Sequence, residues 1–435
     1  MLTSPLAWYL ALVALEAVVI LVALGVDNVR ITTGDGPEFD RLAHNLLSHG
    51  VYSTASSPPL LENITRAPGY PILLMIFYFV ATHLGIAQTL MVSLCQFAMV
   101  AVTGWLVYKL AQELADELTA RVAGLLTASY LPLLGVAWNH LTESTTCVLT
   151  TLVVALLVRL VRRPGTSLVP VFGLGLAVAA LTYVRPDFAP VLAIVVIALF
   201  FSGAGAIWSR QRWVRPGIVL AVFVVAVVPW TIRNYDVTGR LVFISAASGA
   251  SLLASADQYS GKISPAMTST DFKVFLHQLS SIDSSIHVKP GPRGAAAADS
   301  AFGSAARRIF GRLSLGAIVK SIPKREVYLW QPTVYPPARA HAVVNAVGWA
   351  QYLILIALGL IGAAVRRRSR TLLRDWPLWI LAVYLSLVHL VFHVEGRYSL
   401  EARPMLIVFA AIGAVAGGRA LHRRRKVTLT RLGTA

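Results

Sequence analysis

Three carboxylates crowd into Gly34-Asp35-Gly36-Pro37-Glu38-Phe39-Asp40, just past the first membrane-length apolar run, Pro5 to Val26. The loop they open ends in Arg66-Ala67-Pro68-Gly69-Tyr70-Pro71. A hydroxyl is a poor nucleophile until a positioned base begins to take its proton, and a carboxylate is such a base. At the lip of a membrane span, that base could serve an acceptor while the donor stays dissolved in lipid. The complementary need is for cations around a departing phosphate. Arg185, Arg233 and Arg397 fall at the expected outer ends of spans, and a guanidinium is always charged and grips phosphate with two parallel hydrogen bonds. Arginines at such positions also act as anchors that reach for lipid headgroups.

Other groups have competing uses. Asp35 could simply cap the helix that follows, since aspartate is a good N-cap. Glu38 or Asp40 could share its work only if the local turn brings one of them round. Glu143 enters a span directly, a depth at which ionisable groups are functional candidates, although a carboxylate also suits a helix start. Arg66, Tyr70, His393 and Tyr398 are candidates to line the substrate path. His44, His49, His140 and His393 show no metal-ligand spacing. A divalent cation between carboxylates and a phosphate would suit hard oxygen ligands, but nothing in the sequence requires one, so the metal is left unknown. Asn63-Ile64-Thr65 fits a glycosylation sequon, a pattern common by chance.

These residues need a scaffold, and composition sets its class. Hydrophobic residues make up 56% of the chain and charged ones 13%. Soluble domains carry about 25% charged residues, so an all-α polytopic membrane protein is expected. The two cysteines, Cys95 and Cys147, lie in apolar runs and offer no disulfide or zinc framework. The net charge of +18 mostly caps spans, which argues against nucleic acid as a partner.

A span needs roughly 20 apolar residues. Candidates are 5–26, 88–110, 120–138, 143–161, 168–184, 187–203, 213–231, 343–365, 376–393 and 402–421. The first has no basic n-region and reads as a retained anchor. Basic loops face the cytoplasm, and Arg159–Arg163, Arg210–Arg215, Arg366–Arg374 and Arg423–Lys426 alternate consistently with these spans. Counting from them makes 111–119 cytoplasmic and leaves room for one crossing between it and an external loop 27–70. The short apolar stretch 71–82 is therefore read as part of a juxtamembrane helix, 71–86. The expectation is ten spans with both ends inside, divided into an N-terminal module 1–231 with its external loop 27–86, a large external loop 232–342, helices 343–421, and a basic tail 422–435. Within the large loop, 299–330 reads as an amphipathic helix and connector, and 261–298 as in part mobile.

The order of short motifs carries a resemblance. Asp35-Gly-Pro-Glu-Phe-Asp-Arg-Leu-Ala43, Asn45-Leu-Leu, Gly50-Val-Tyr-Ser53 and Arg66-Ala-Pro-Gly-Tyr-Pro71 are followed by Tyr183-Val-Arg-Pro186, Pro229-Trp-Thr-Ile-Arg-Asn234, Lys324-Arg-Glu-Val-Tyr-Leu-Trp330 and His393-Val-Glu-Gly-Arg-Tyr398. This series resembles the GT-C glycosyltransferases, nearest the bacterial relatives of protein O-mannosyltransferases and of the lipid A aminoarabinose transferase. The resemblance implies a GT-C-like enzyme that passes a hexosyl or pentosyl residue from a polyprenyl-phosphate carrier to a glycan, lipid or protein acceptor of the cell envelope. It implies inversion, a site on the outer face of the cytoplasmic membrane, and Asp35 as the base. Many members follow that aspartate with glutamate, where this chain has Gly36. The rival classes are a lipid or solute transporter or flippase, and a ligase or polymerase of lipid-linked glycans. A transporter would tend to show internal repeats and midplane charges; here no repeat is visible and the charges gather at one face.

Overall fold

The computed structural model describes residues 5–24, 35–139, 141–163, 167–203, 209–266, 269–333 and 341–432. Residues 25–34, between the first apolar run and Asp35, lie outside it. Among the described residues there are helices and no strand, as lipid demands of a backbone that must satisfy its own hydrogen bonds. In chain order the helices are α1 (Pro5–Leu24), α2 (Gly36–His49), α3 (Gly69–Leu84), α4 (Gln88–Leu114), α5 (Glu117–Ala128), α6 (Leu131–Trp138), α7 (Glu143–Arg162), α8 (Val169–Val184) and α9 (Val191–Ser202). There follow α10 (Arg210–Thr238), α11 (Ser248–Ser260), α12 (Ser269–Ser285), α13 (Pro292–Phe310), α14 (Leu315–Trp330), α15 (His341–Arg368), α16 (Trp376–Val391) and α17 (Arg403–Leu432).

Five stretches are by themselves long and apolar enough to cross a membrane: Gln88–Leu114, Glu143–Arg162, Arg212–Thr238, Ala342–Arg368 and Gly396–Arg423. The expected span 120–138 is instead two helices, α5 and α6, meeting at 43°. The break falls at Ser129–Tyr130, and Pro132 sits in the first turn of α6, where its missing amide costs no helical hydrogen bond. The remaining expected spans correspond to α1 and to the shorter helices α8, α9 and α16. The protein is an all-α, multi-pass membrane protein.

The main core joins α1 and α4 to α10 with α15 to α17. Lipid is as apolar as leucine, so close contact rather than burial from water drives such packing. At the α15–α17 contact, a Cβ on Gly362 would meet the Phe409 carbonyl oxygen at 1.9 Å, and one on Gly413 the Leu358 oxygen at 2.0 Å. Small residues allow that approach.

Charge sorts the two ends of the bundle. At one end Arg163 pairs with Glu113, Arg162 and Arg366 grip the buried Asp375, and Arg419 reaches Asp116. This brings the linker 111–119, the end of α7, the α15–α16 connection and the end of α17 together. Glu143 is at the opposite end of α7, 20 residues away, or roughly 30 Å at 1.5 Å per residue.

Residues 239–333 form a helical unit with its own small core of Leu253, Phe275, Phe302 and Ala306. Within 261–298 the described residues hold α12 and the start of α13, whose alanine run Ala295–Ala298 is strong helix-forming sequence. The amphipathic helix and connector expected over 299–330 are the end of α13 and, past a break at Gly311–Ser314, a second helix, α14. In addition, α10 runs past residue 231 to Thr238, stopping at Gly239 with φ of +68°.

Candidate active site

Asp35 stands at the N-terminus of α2, where Gly36 and Pro37 open the helix and the Asp35 carbonyl accepts from the Glu38 and Phe39 amides. Its side chain makes no capping bond. The carboxylate turns to two guanidiniums: Arg66 Nη2 donates to Oδ1 at 2.8 Å and Arg397 Nη2 to Oδ2 at 3.2 Å. Arg66 Nε also donates to Glu38 Oε2 at 2.6 Å. Arg397 Nη1 donates to Glu143 Oε1 at 3.0 Å, and its Nε to Glu395 Oε2 at 2.6 Å. Four carboxylates thus share two guanidiniums. Burial would push the Asp35 carboxyl up, but Arg66 and Arg397 outweigh it and hold it below the usual range. Glu395, buried beside Arg397 and His393, is held well below its ordinary value in the same way.

Local chemistry places each partner. The Asn63 side chain accepts from the amides of Thr65 and Arg66, at 3.0 and 3.1 Å, so the sequon works as a turn that aims Arg66. The Tyr52 hydroxyl donates to the Arg66 and Ala67 carbonyls. Gly69 opens α3 against the last residues of α8: a Cβ there would lie 2.7 Å from the Tyr183 carbonyl carbon. Only a glycine lets the arm carrying Arg66 lie beside the arm carrying Arg185.

On the C-terminal side, the loop after α16 supplies His393, Glu395 and Arg397. Gln258 of α11 holds this loop through both backbone groups of Val394, at 3.0 and 3.1 Å. Arg325 of α14, almost fully buried, donates to Gln258, Ser255 and the carbonyls of His389 and Phe392. The Tyr398 ring lies under the Arg185 guanidinium at 4.5 Å and beside Arg397 at 5.4 Å. Its hydroxyl meets His393 Nε2 at 3.0 Å and donates to Glu395 Oε1 at 3.2 Å. Arg185 itself is paired with Glu401 at 2.6 Å and Asp187 at 2.8 Å.

The sequence candidates therefore divide. Asp35, Glu38, Arg66, Glu143, Arg397, Tyr398 and His393 come together, with Arg185 next to them. Asp40 points elsewhere, accepting from Tyr78 at 2.6 Å and facing His44; that carboxylate pushes His44 up to about 9. Arg233 stands apart, taken up by the Glu62 carboxylate and the Asn63 carbonyl. Tyr70, expected on the substrate path, is fully buried in the α2–α3 core and accepts from Gln96. Sequence reasoning did not single out Glu395, Asp187, Glu401, Gln258 or Arg325. Glu401 gave a usable signal, a carboxylate at the very edge of an apolar run. Gln258 gave none.

No three His, Cys, Asp or Glu side chains among the described residues are placed to hold a metal ion. In the cluster, arginines stand between the carboxylates, so these residues as arranged do not fit a cation.

Toward the basic end of the bundle, an apolar crevice of about 500 Å³ lies between α7, α9 and α16, lined by Val161, Ile197, Phe201 and Trp376. Ile194 and Ile380 also line a narrower slot that continues it to Thr150. The Thr150 hydroxyl bonds the backbone of Glu401, the partner of Arg185.

A family model described as dolichyl-phosphate-mannose-protein mannosyltransferase matches residues 67–230. No curated protein matches the chain by sequence. The apo oligosaccharyltransferase of Archaeoglobus fulgidus superposes with a TM-score of 0.57 at 13% identity, covering 98% of this chain and 52% of that one. The archaeal oligosaccharyltransferase AglB from the same organism, in complex with an inhibitory peptide and a dolichol-phosphate, gives 0.54 at 13% identity, over 97% and 52%. ArnT from Cupriavidus metallidurans bound to undecaprenyl phosphate gives 0.44 at 18% identity, over 94% and 79%. The chain spans about half the length of the archaeal structures it matches. The chain has a GT-C-like architecture, and its resemblance to the GT-C membrane glycosyltransferases stands.

Proposed function

We propose that this chain is a membrane glycosyltransferase that moves a single sugar from a polyprenyl-phosphate carrier to a hydroxyl of a cell-envelope acceptor, with inversion. The reading rests on one observation above the others. The Asp35–Arg397–Glu143 cluster joins the first loop, the start of α7 and the loop after α16 at one end of the bundle. The carrier's phosphate meets Arg185, Arg397 and Arg66, with its polyprenyl tail along the apolar seam between α7, α9 and α16 that starts at Thr150. The matched family model, named for dolichyl-phosphate-mannose, supports this donor class.

In the resting cluster every site arginine is paired with carboxylates. An arriving phosphate has to displace them, and the exchange frees Asp35 from the cations that depress its basicity. Asp35 then takes the acceptor proton as the oxygen attacks the sugar's first carbon. The bond from that carbon to the phosphate oxygen breaks, and the arginines hold the phosphate as it leaves. Base activation is thereby tied to donor binding. Arg233, clamped to the Glu62–Asn63 turn, is assigned to positioning Arg66. The site faces outward across the cytoplasmic membrane, in a ten-span arrangement.

Lipid and glycan profiling of a deletion strain tests the reading. The expected result is a polyprenyl-phosphate sugar that accumulates beside an acceptor lacking one residue. Unchanged lipid-linked sugars and unchanged envelope glycans would sink it.

A further inference from the structure

A second cavity, also of about 500 Å³, opens between α11 and α13 beside the end of α16. That lies within the range of small-ligand pockets, about 300–1,000 Å³. The two helices cross almost in contact: a Cβ on Gly249 would fall 1.9 Å from the Asp299 carbonyl oxygen, and one on Gly303 would lie 3.7 Å from the Gly249 Cα. The opening lies next to this crossing. One side presents Ser248, Asp299, Ser304 and Arg307; the other presents Leu252 and Phe392. Asp299 Oδ1 accepts from the Gly249 amide at 2.7 Å and the Ala250 amide at 3.3 Å, so the start of α11 is already capped. Its Oδ2 accepts from the Ser248 hydroxyl at 3.4 Å. Arg307 Nη2 lies on the Ser304 hydroxyl at 3.0 Å.

The cavity is tied to the active site. Its wall residue Phe392 is followed at once by the loop that carries His393, Glu395 and Arg397. From α11, Ser251 Oγ meets His393 Nδ1 at 2.7 Å, and His393 leads through Tyr398 and Glu395 to Arg397 and Asp35.

We propose that this cavity binds a sugar residue of a glycan acceptor, a step that rests on the transferase reading. A sugar ring has an apolar face for Phe392 and Leu252 and an edge of hydroxyls for Asp299, Ser304 and Arg307. The recognised residue precedes the one whose hydroxyl reaches Asp35, so the acceptor is an oligosaccharide.

Saturation-transfer NMR on the full chain in nanodiscs, with a panel of methyl glycosides and disaccharides of neutral and uronic sugars, tests this directly. Ser304→Trp fills the opening from its rim and Arg307→Ala removes the guanidinium; both positions lie outside the catalytic cluster. Signal from one or more saccharides in the wild type, lost in both variants, supports the proposal. In transfer assays the acceptor KM should rise about tenfold for Arg307→Ala, with the donor KM unchanged. No saccharide signal, signal that persists in both variants, or competition by peptides instead of saccharides overturns it. Binding of undecaprenyl phosphate to the same samples separates the two failures. Its absence, with saccharide signal kept, rejects the transferase reading; its presence, with no saccharide signal, rejects the cavity.

Discussion

At Asp35 the structure removes one competing use and sharpens the other. The side chain caps nothing and is held between Arg66 and Arg397. Asp35→Asn is therefore expected to fold and insert, and to lose transfer by about 10²–10⁴-fold. Donor-phosphate affinity should rise in the same variant, because a competitor for both arginines has gone. A variant that binds undecaprenyl phosphate more weakly than wild type contradicts the exchange, and near-normal transfer removes Asp35 as the base. Glu38→Gln and Asp40→Asn should cost far less, the latter because Asp40 serves Tyr78 and His44. Arg397→Ala should weaken donor use about ten- to a hundred-fold, as expected for one charge-assisted hydrogen bond. Arg397→Lys should keep part of it, since lysine retains charge and loses the fork; equal donor KM for wild type and Ala would take Arg397 out of the site. The same pairs predict a pH effect. Asp35 and Glu395 have folded values below their unfolded ones, about 3.9 and 4.3. Their contribution to stability is thus present above about pH 4 and lost as pH falls through the depressed folded values. Melting curves in detergent from pH 7 to pH 3 should show a steeper acid loss for wild type than for Asp35→Asn. The chemistry-bearing residues were readable because charges are rare in this chain. The pairing was not, since Asp35 and Arg397 are 362 positions apart.

At the scale of elements, one glycine contact and one clamp set the site's geometry. Gly69→Ala would push a methyl into the Tyr183 carbonyl, where backbone rather than a flexible side chain must yield. Overpacking of this kind costs about 1–3 kcal/mol, so a lower Tm in detergent is expected, with loss of transfer because Arg66 moves. A Tm and an activity equal to wild type would show that α3 does not depend on this approach. Arg233→Ala should loosen the Glu62–Asn63 turn, lowering transfer while changing donor affinity less than Arg397→Ala does. If both variants weaken donor binding equally, Arg233 holds phosphate after all. Helix existence was legible from apolar runs and turn residues throughout α1 to α10. What pattern could not supply was the break within 120–138 at Ser129–Tyr130, or the helices α12 and α13. There, alanine and serine look like linker composition until α13 finds α11 to pack against.

Across the whole molecule, the proposed topology turns on α3. Two apolar stretches, 71–82 and 88–110, lie between an external first loop and an inner 111–119, where only one crossing fits, and the first is too short to span by itself. The contacts agree with one. Gly69, at the start of α3, abuts the Arg185 end of α8. Gln88, which opens α4 just after α3 ends, hydrogen-bonds His44 of α2 at 3.0 Å. Both ends of α3 thus stay with the loop that begins at Asp35, and Tyr78 midway along it is held by Asp40. Then α4 runs 27 residues to Leu114, whose carbonyl meets Arg366 at the basic end. The helical unit 239–333 belongs with the active-site end, because Ser251, Gln258 and Arg325 hold the loop after α16. In a background with Cys95 and Cys147 replaced by alanine, Ser57→Cys and Ser280→Cys should react with an impermeant maleimide in intact cells. Ala115→Cys, between α4 and α5, should react only after permeabilisation. Labelling of Ser280→Cys with protection of Ser57→Cys would make α3 a true span and separate Asp35 from Arg397 by the membrane, which their hydrogen bond forbids. Labelling of Ala115→Cys alone would invert the protein and place the donor's phosphate on the cytoplasmic side.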